Sequence, residues 1–347
     1  AWRLWVAATC PVNKDQYPYV VWENWIEQAQ MYPQNPEAGL KVPNANATPQ
    51  GGSHVLHSSP LTLIKNPNLG KVVPGLLGGA DQGCNKAATP PNGQSNLVIC
   101  EEVRLNGATE DYIAGRKFWK RGGQTKAAAA KADIMFSPPS VEIKADWIQM
   151  SSIGLDCNTL PAKFFLKIHV ETVNGNCFAL AGMHLISKLQ GKWIWATFEP
   201  QSPITNPNRC QVLGCTDDFG VTPAVTHGAN TTLTSQLSDL MTAANLAPEF
   251  FNYRLDGVQT GYFKPQLLGN SIIEGENAGV PLTQASCITC HSVSSIKSDG
   301  TDGITLLNTN PVGAPPTLPN GWIPRDFVWS LSEACPNSPL QICAQQQ

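Results

Sequence analysis

Residues 140–150 read SVEIKADWIQM, a run in which polar and apolar residues alternate. Successive side chains of a β-strand point to opposite faces, so such alternation predicts a strand. Three more strand-length pieces follow: AKFFLKIHVETV (162–173), CFALAGMHLISKL (177–189) and KWIWATFE (192–199). The connections VNGN and LQGK are turn chemistry. Together they predict an antiparallel sheet across about 140–199 in an α+β, loop-rich protein with flanking helices. A scaffold over 1–247 with a cofactor-bearing region over 248–347 packed on it is the expected division, as two domains or as one.

Outward from the sheet, YVVWENWIEQAQ places Val21, Trp22, Trp25, Ile26 and Ala29 at helical spacing, which predicts a helix over about 18–30. TTLTSQLSDLMTAANL places Leu233, Leu237, Leu240, Met241 and Ala244 on one helical face. The stretch 116–131, RKFWKRGGQTKAAAAK, holds six of the 23 basic residues and reads as a solvated loop and helix face, or as a dock for an acidic redox partner. PGLLGGADQG lacks the Gly-Lys-Ser/Thr of a phosphate loop. No internal repeat is visible.

Charged residues make up 14% of the chain and the formal charge is −3, so there is no electrostatic footprint for nucleic acid. No apolar run approaches the roughly 20 residues that span a bilayer. The opening AWRLWVAATC lacks the layout of a secretory signal, and the expectation is an exported mature form, periplasmic or extracellular. Eleven cysteines fit that compartment. Short separations suggest Cys84 with Cys100, Cys157 with Cys177, Cys210 with Cys215 and Cys335 with Cys343, leaving Cys10 over, although spacing does not fix connectivity.

The remaining two cysteines stand in ASCITCHS, residues 285–292. In a helix Cys287 and Cys290 lie on one face and His291 lies beside Cys287 one turn on, so two thiols can reach the vinyl groups of one porphyrin while the imidazole meets the iron. This C-x-x-C-H run is the attachment site of a c-type haem. No second cysteine pair or His-x₃₋₅-His completes a zinc site, and no βαβ pattern surrounds it as in thioredoxin-like pairs. One covalent haem c, with His291 as an axial ligand, is expected.

Residues 292–347 contain neither Met nor His. A second axial ligand therefore comes from upstream or does not exist. His184, alternating with Phe178, Leu180 and Ile186, should point inward. Met183 should point to the opposite face, with core packing as its ordinary reading. His54 and His57 sit on a Gly/Ser-rich loop able to approach a cofactor. His169 shares a face with Lys167 and Glu171 and is expected to be exposed.

NYRLDGVQTGY (252–262), LLGNSIIEG (267–275) and SCITCHS (286–292), with VEIKADW and GMHLISKLQGKWIWATFE, resemble a family of large bacterial secreted monohaem cytochrome c proteins. The resemblance runs from about residue 18 to the end and implies a periplasmic monohaem protein without supplying a reaction. The family's W-x-T-F-E continues with a His and an acidic residue, whereas this chain reads TFEPQSPITNPNRC. Two functions of different class follow. One is electron transfer with a redox partner protein through a six-coordinate haem. The other is a haem enzyme of the peroxidase or oxygenase type, with an open distal position, His184, Glu142 or Glu171 as acid or base, and Arg116 as a charge stabiliser. A gas-binding or structural haem module is a third reading.

Overall fold

The structure is a computed structural model and describes residues 1–13, 17–33, 40, 84–86, 97–173, 175–201, 215–224, 231–263, 266–307 and 311–334. Its centre is an eight-stranded antiparallel sheet. We number its strands β1 (Ile26–Glu27), β2 (Cys84–Lys86), β3 (Val98–Leu105), β4 (Val141–Gln149), β5 (Val170–Val173), β6 (Asn176–Ser187), β7 (Ile194–Pro200) and β8 (Tyr253–Gln259). The path runs β8-β7-β6-β4-β3-β1, with β2 also on β3 and β5 also on β6. The sheet thus takes four strands from the expected 140–199 segment, without residues 150–169, and extends beyond it on both sides.

The register explains its two faces. His184 on β6 stands opposite Lys144 on β4 and Thr197 on β7, while Met183 stands opposite Ala145 and Phe198. Ile143, Ala145, Trp147, Met183, Leu185 and Phe198 therefore share one face and form the larger apolar core. Helices α1 (Trp2–Thr9) and α4 (Ser235–Ala243) join this core. Trp5 stacks on Phe198 at 4.4 Å, and Leu237 and Met241 of α4 are buried, as the helical spacing predicts. The Thr234 hydroxyl caps α4 by accepting the Leu237 N–H.

The opposite face carries Glu142, Lys144 and Asp146 from β4 and His184 from β6. The C-terminal segment covers it. Helices α2 (Gly107–Arg116) and α3 (Arg121–Ala129) contribute Ile113 and Ala128, and the turn between them Phe118 and Trp119, to a second apolar cluster shared with Trp195, Cys287 and Ile288. The Asn106 side chain caps α2 and also accepts the Val141 N–H at 3.0 Å, tying helix to strand. Of the basic residues in this stretch, Arg121 is buried, donating to Asp302 at 2.7 Å, whereas Arg116, Lys117 and Lys126 are exposed.

Two expectations are corrected. Residues 18–30 are not one helix: strand Tyr17–Val20, a 3₁₀ turn Val21–Asn24, β1 and a short helix Gln28–Met31 share the segment. The reason is tertiary. The Arg104 guanidinium donates to the carbonyls of Glu23 and Trp25 at 2.7 and 2.9 Å and to the Glu27 carboxylate at 2.8 Å, while Ile26 and Glu27 pair with β3. AKFFLKIHVETV is a strand only at its end, because Pro161 starts the helical turn Ala162–Phe165.

Cys84–Cys100 and Cys157–Cys177 are disulfide-bonded, as their spacing suggests. Cys215 is also disulfide-bonded, while Cys210, Cys335 and Cys343 lie outside the described residues. Cys10 is in no disulfide. Among the described residues, no helix is long and apolar enough to cross a membrane.

Candidate functional site

Cys287–Ser292 forms a short helix, α5, in which the Cys290 N–H donates to the Ser286 carbonyl at 3.0 Å. Its start is pinned by two backbone bonds: Leu268 N–H to Ala285 O and Cys287 N–H to Leu268 O, both 3.1 Å. This close approach requires Gly269, where a Cβ would lie 2.5 Å from the Ala285 Cβ. Neither Cys287 nor Cys290 is in a disulfide, and both line one cleft with His291. Trp329 anchors the helix, its indole N–H donating to the Cys290 carbonyl at 3.0 Å.

His291 presents one nitrogen to the fold. Its Nδ1 is 2.7 Å from the Phe327 carbonyl oxygen. A carbonyl can only accept, so Nδ1 carries the proton. Burial pushes the imidazole down to about 4, only partly offset by that bond, so the ring is neutral at pH 7 and Nε2 keeps its lone pair. A tautomer fixed by a carbonyl on the far nitrogen is the usual arrangement behind a metal-binding histidine. The carbonyl is offered by an unusual turn, in which Asp326 and Phe327 both have positive φ, 51° and 67°. Such non-glycine conformations persist only where the surroundings enforce them. Here the Asp326 carboxylate accepts the Phe136 N–H at 2.7 Å and pairs with Lys188.

The cleft encloses about 1170 Å³ of non-atom space, its mouth included. Val103, Ile186, Trp195, Val280, Leu307 and Trp329 give it apolar walls. Two thiols, one neutral imidazole and this lining fit a covalently held, flat, largely apolar cofactor. Burial first, then Glu274 and Cys290, pushes the Cys287 thiol well above its ordinary range, so it is uncharged.

Polar side chains of the sheet enter the same cleft. His184 donates from Nε2 to both Glu274 oxygens, at 2.9 and 3.1 Å. Burial works against the charge of Glu274, but His184, the Asn270 N–H and Lys144 outweigh it, and its pKa falls below the usual carboxylate range. Lys144 is ion-paired with Glu101 at 2.6 Å. Burial opposes its charge as well, yet Glu101 and Asp146 hold it above its ordinary value. Glu142, also on the cleft, is pushed up to about 8 by burial against the opposing Ser330 hydroxyl bond.

Glu274 stands on a π-helical turn, Ser271–Asn277, a form that concentrates at functional sites. Asn270 caps it, its Oδ1 accepting from Ile272 and Ile273 while its Nδ2 donates to Thr197 Oγ1 and Phe198 O. Gly182 makes room for this side chain: a Cβ there would lie 2.5 Å from Asn270 Oδ1. Glu199 accepts from the Ser271 N–H and hydroxyl, each at 2.6 Å.

Of the residues singled out from the sequence, Cys287, Cys290, His291, His184 and Glu142 meet on the cleft. Met183 is buried in the opposite-face core, as its parity predicts. Arg116 is exposed at the end of α2, its guanidinium 6.0 Å over the Tyr112 ring and away from the cleft lining. His54 and His57 lie outside the described residues. Glu171 is on another site altogether. It neighbours His169, which is buried at 6% exposure rather than on the surface. His169 Nε2 is 2.8 Å from Glu23 and 3.4 Å from Glu171, and Nδ1 is 3.6 Å from Glu249. Burial opposes its charge, but Glu23 and the other carboxylates raise the imidazole to about 10. His169 and Glu171 thus belong to an ion-pair cluster with Glu23 and Glu249, while Lys167 is exposed.

Glu274 and Lys144 were missed as site residues. Lys144 could have been found by register parity with His184, whereas Glu274 carries no sequence signal beyond its place in GNSIIEG. Comparison with known proteins finds no matching family model, no similar curated protein and no similar solved structure.

Proposed function

We propose that the chain is an exported monohaem c-type redox protein, with haem held covalently by Cys287 and Cys290 and ligated by His291. The observation that carries this is the neutral His291, Nδ1 on the Phe327 carbonyl, sharing an apolar cleft with two cysteines outside any disulfide. Bound there, haem would supply one-electron redox chemistry. The chain's own residues fix the imidazole, exclude water with Trp195 and Trp329, and bring Lys144 and Glu274 to the opposing wall. The disulfides support an oxidising compartment, periplasmic or extracellular. Electron transfer to a partner protein is the simplest activity of such a site. Purified protein should show covalent haem by staining after denaturation. The Cys287→Ala/Cys290→Ala double variant should release it to acid-acetone, and retained pigment would sink the reading.

A second reading, a haem enzyme with an open distal position, is favoured by one observation. No described methionine lines the cleft, and His184 on the sheet wall is oriented by its Nε2–H bond to Glu274. A high-spin ferric spectrum with rapid carbon monoxide binding after reduction supports this reading; a low-spin spectrum indifferent to carbon monoxide and peroxide supports plain electron transfer.

A further inference from the structure

We infer that His184 and Glu274 form a proton-accepting pair on the wall facing Cys287, Cys290 and His291, and that its ligand is a small protic molecule of the hydroperoxide class. This rests on the haem reading above.

The pair is a built site. His184 and Glu274 line the cleft with His291, and both make themselves felt electrostatically on it. His184 is buried, at 8% exposure, and its Nδ1 has no partner among the described residues, so Glu274 alone orients the ring. Glu274 is in turn fixed: Oε2 accepts the Asn270 N–H at 2.6 Å, and Asn270 is seated against Gly182, Thr197 and Phe198. Desolvating the Glu274 carboxylate costs several kcal/mol, which an apolar side chain of the same volume would avoid. Stability alone does not account for so elaborate a mount.

The other polar groups on the cleft make this pair the acceptor. The Lys144 ammonium is engaged by Glu101. Glu142 retains its proton at neutral pH and can donate, while Glu274 is ionised and can accept. Two carboxyl groups pushed in opposite directions by their surroundings are the ordinary signature of acid and base roles. Among apolar walls, the ligand must be small, uncharged on entry and able to give up a proton. On binding, its X–H bond breaks heterolytically, the proton passes to the pair and the anion stays in the cleft. No electron moves in this step.

The test uses the full haem-loaded chain, with hydrogen cyanide as the protic probe of the ferric state and carbon monoxide as the aprotic probe of the ferrous state. His184→Leu and Glu274→Gln should each slow cyanide association by about 100-fold, the usual weight of a positioned acid–base group. Carbon monoxide association, which delivers no proton, should be unchanged. Glu274→Gln keeps the shape and an acceptor for the Asn270 N–H, so it guards against misfolding. Wild-type cyanide rates in both variants, a parallel loss of carbon monoxide binding, or a wild-type ferric protein that takes up no cyanide would each overturn the inference alone. Absence of covalent haem from the wild type would overturn the haem reading and this inference together.

Discussion

His291 Nδ1 stands 2.7 Å from the Phe327 carbonyl oxygen, 36 residues on in the chain. The bond links the helix that carries the cysteines to a turn with two successive positive-φ residues. It sets the tautomer that leaves Nε2 as a lone pair. The side chain that braces this turn is Asp326, through Phe136 N–H and Lys188.

Asp326→Ala should therefore lower stability by about 2–3 kcal/mol, because it strands a buried ammonium and a backbone donor. Denaturant titration checks the magnitude. Haem-loaded protein should also show a shifted midpoint potential, since the orientation of His291 depends on the turn.

Gly182→Ala places a methyl 2.5 Å from the Asn270 amide oxygen. Asn270 is itself held by Thr197 and Phe198, so it cannot swing aside cheaply. A loss of about 1–3 kcal/mol is expected, as for overpacking elsewhere. Calorimetry of the variant measures it, and an unchanged melting temperature would show that the π-helical turn can shift.

His169 ties stability to alkaline pH. Its folded pKa of about 10 lies above the ordinary histidine value of 6.5 because Glu23, Glu249 and Glu171 outweigh burial. A raised folded pKa means that the stabilisation is complete below about 6.5 and is lost as pH rises through about 10. Unfolding free energy should fall across that window in the wild type, and His169→Gln should flatten the fall.

Asp302 acts at the acid end. Its carboxylate takes Arg325 at 2.6 Å and Arg121 at 2.7 Å, and these two outweigh burial to depress its pKa below 3.8. A depressed pKa contributes stability that is present above the unfolded value and lost as pH falls through the folded one. Asp302→Asn should cost about 3–5 kcal/mol at neutral pH, because Arg325 is then left buried without its carboxylate. The variant should also lose less stability on acidification than the wild type.

Much of this was legible. Alternation in VEIKADW and GMHLISK placed strands correctly and put Met183 and His184 on opposite faces, because a strand's side-chain period is two whatever surrounds it. The spacing of Leu237 and Met241 placed α4. Where the reading failed, a distant residue had intervened. Arg104 takes the carbonyls that a helix over 18–30 would use, and three carboxylates draw His169 inside. Helical and strand periodicity describe neighbours along the chain and carry no information about a guanidinium some 80 positions away.

The sequence by itself determined the chemistry available to the site: two cysteines and a histidine at the spacing that presents them together on one short helix, and a sheet with one apolar and one polar face. Only the tertiary structure decided that Glu142, Asp146 and His184 are buried and Lys144 half-buried rather than solvated, because residues 268–307 and 311–334 fold over them. It also decided that Glu274 meets His184 across 90 residues. Parity says which side chains share a face. What covers that face depends on contacts between remote segments, and those set the burial, the charge states and the pairing on which the site rests.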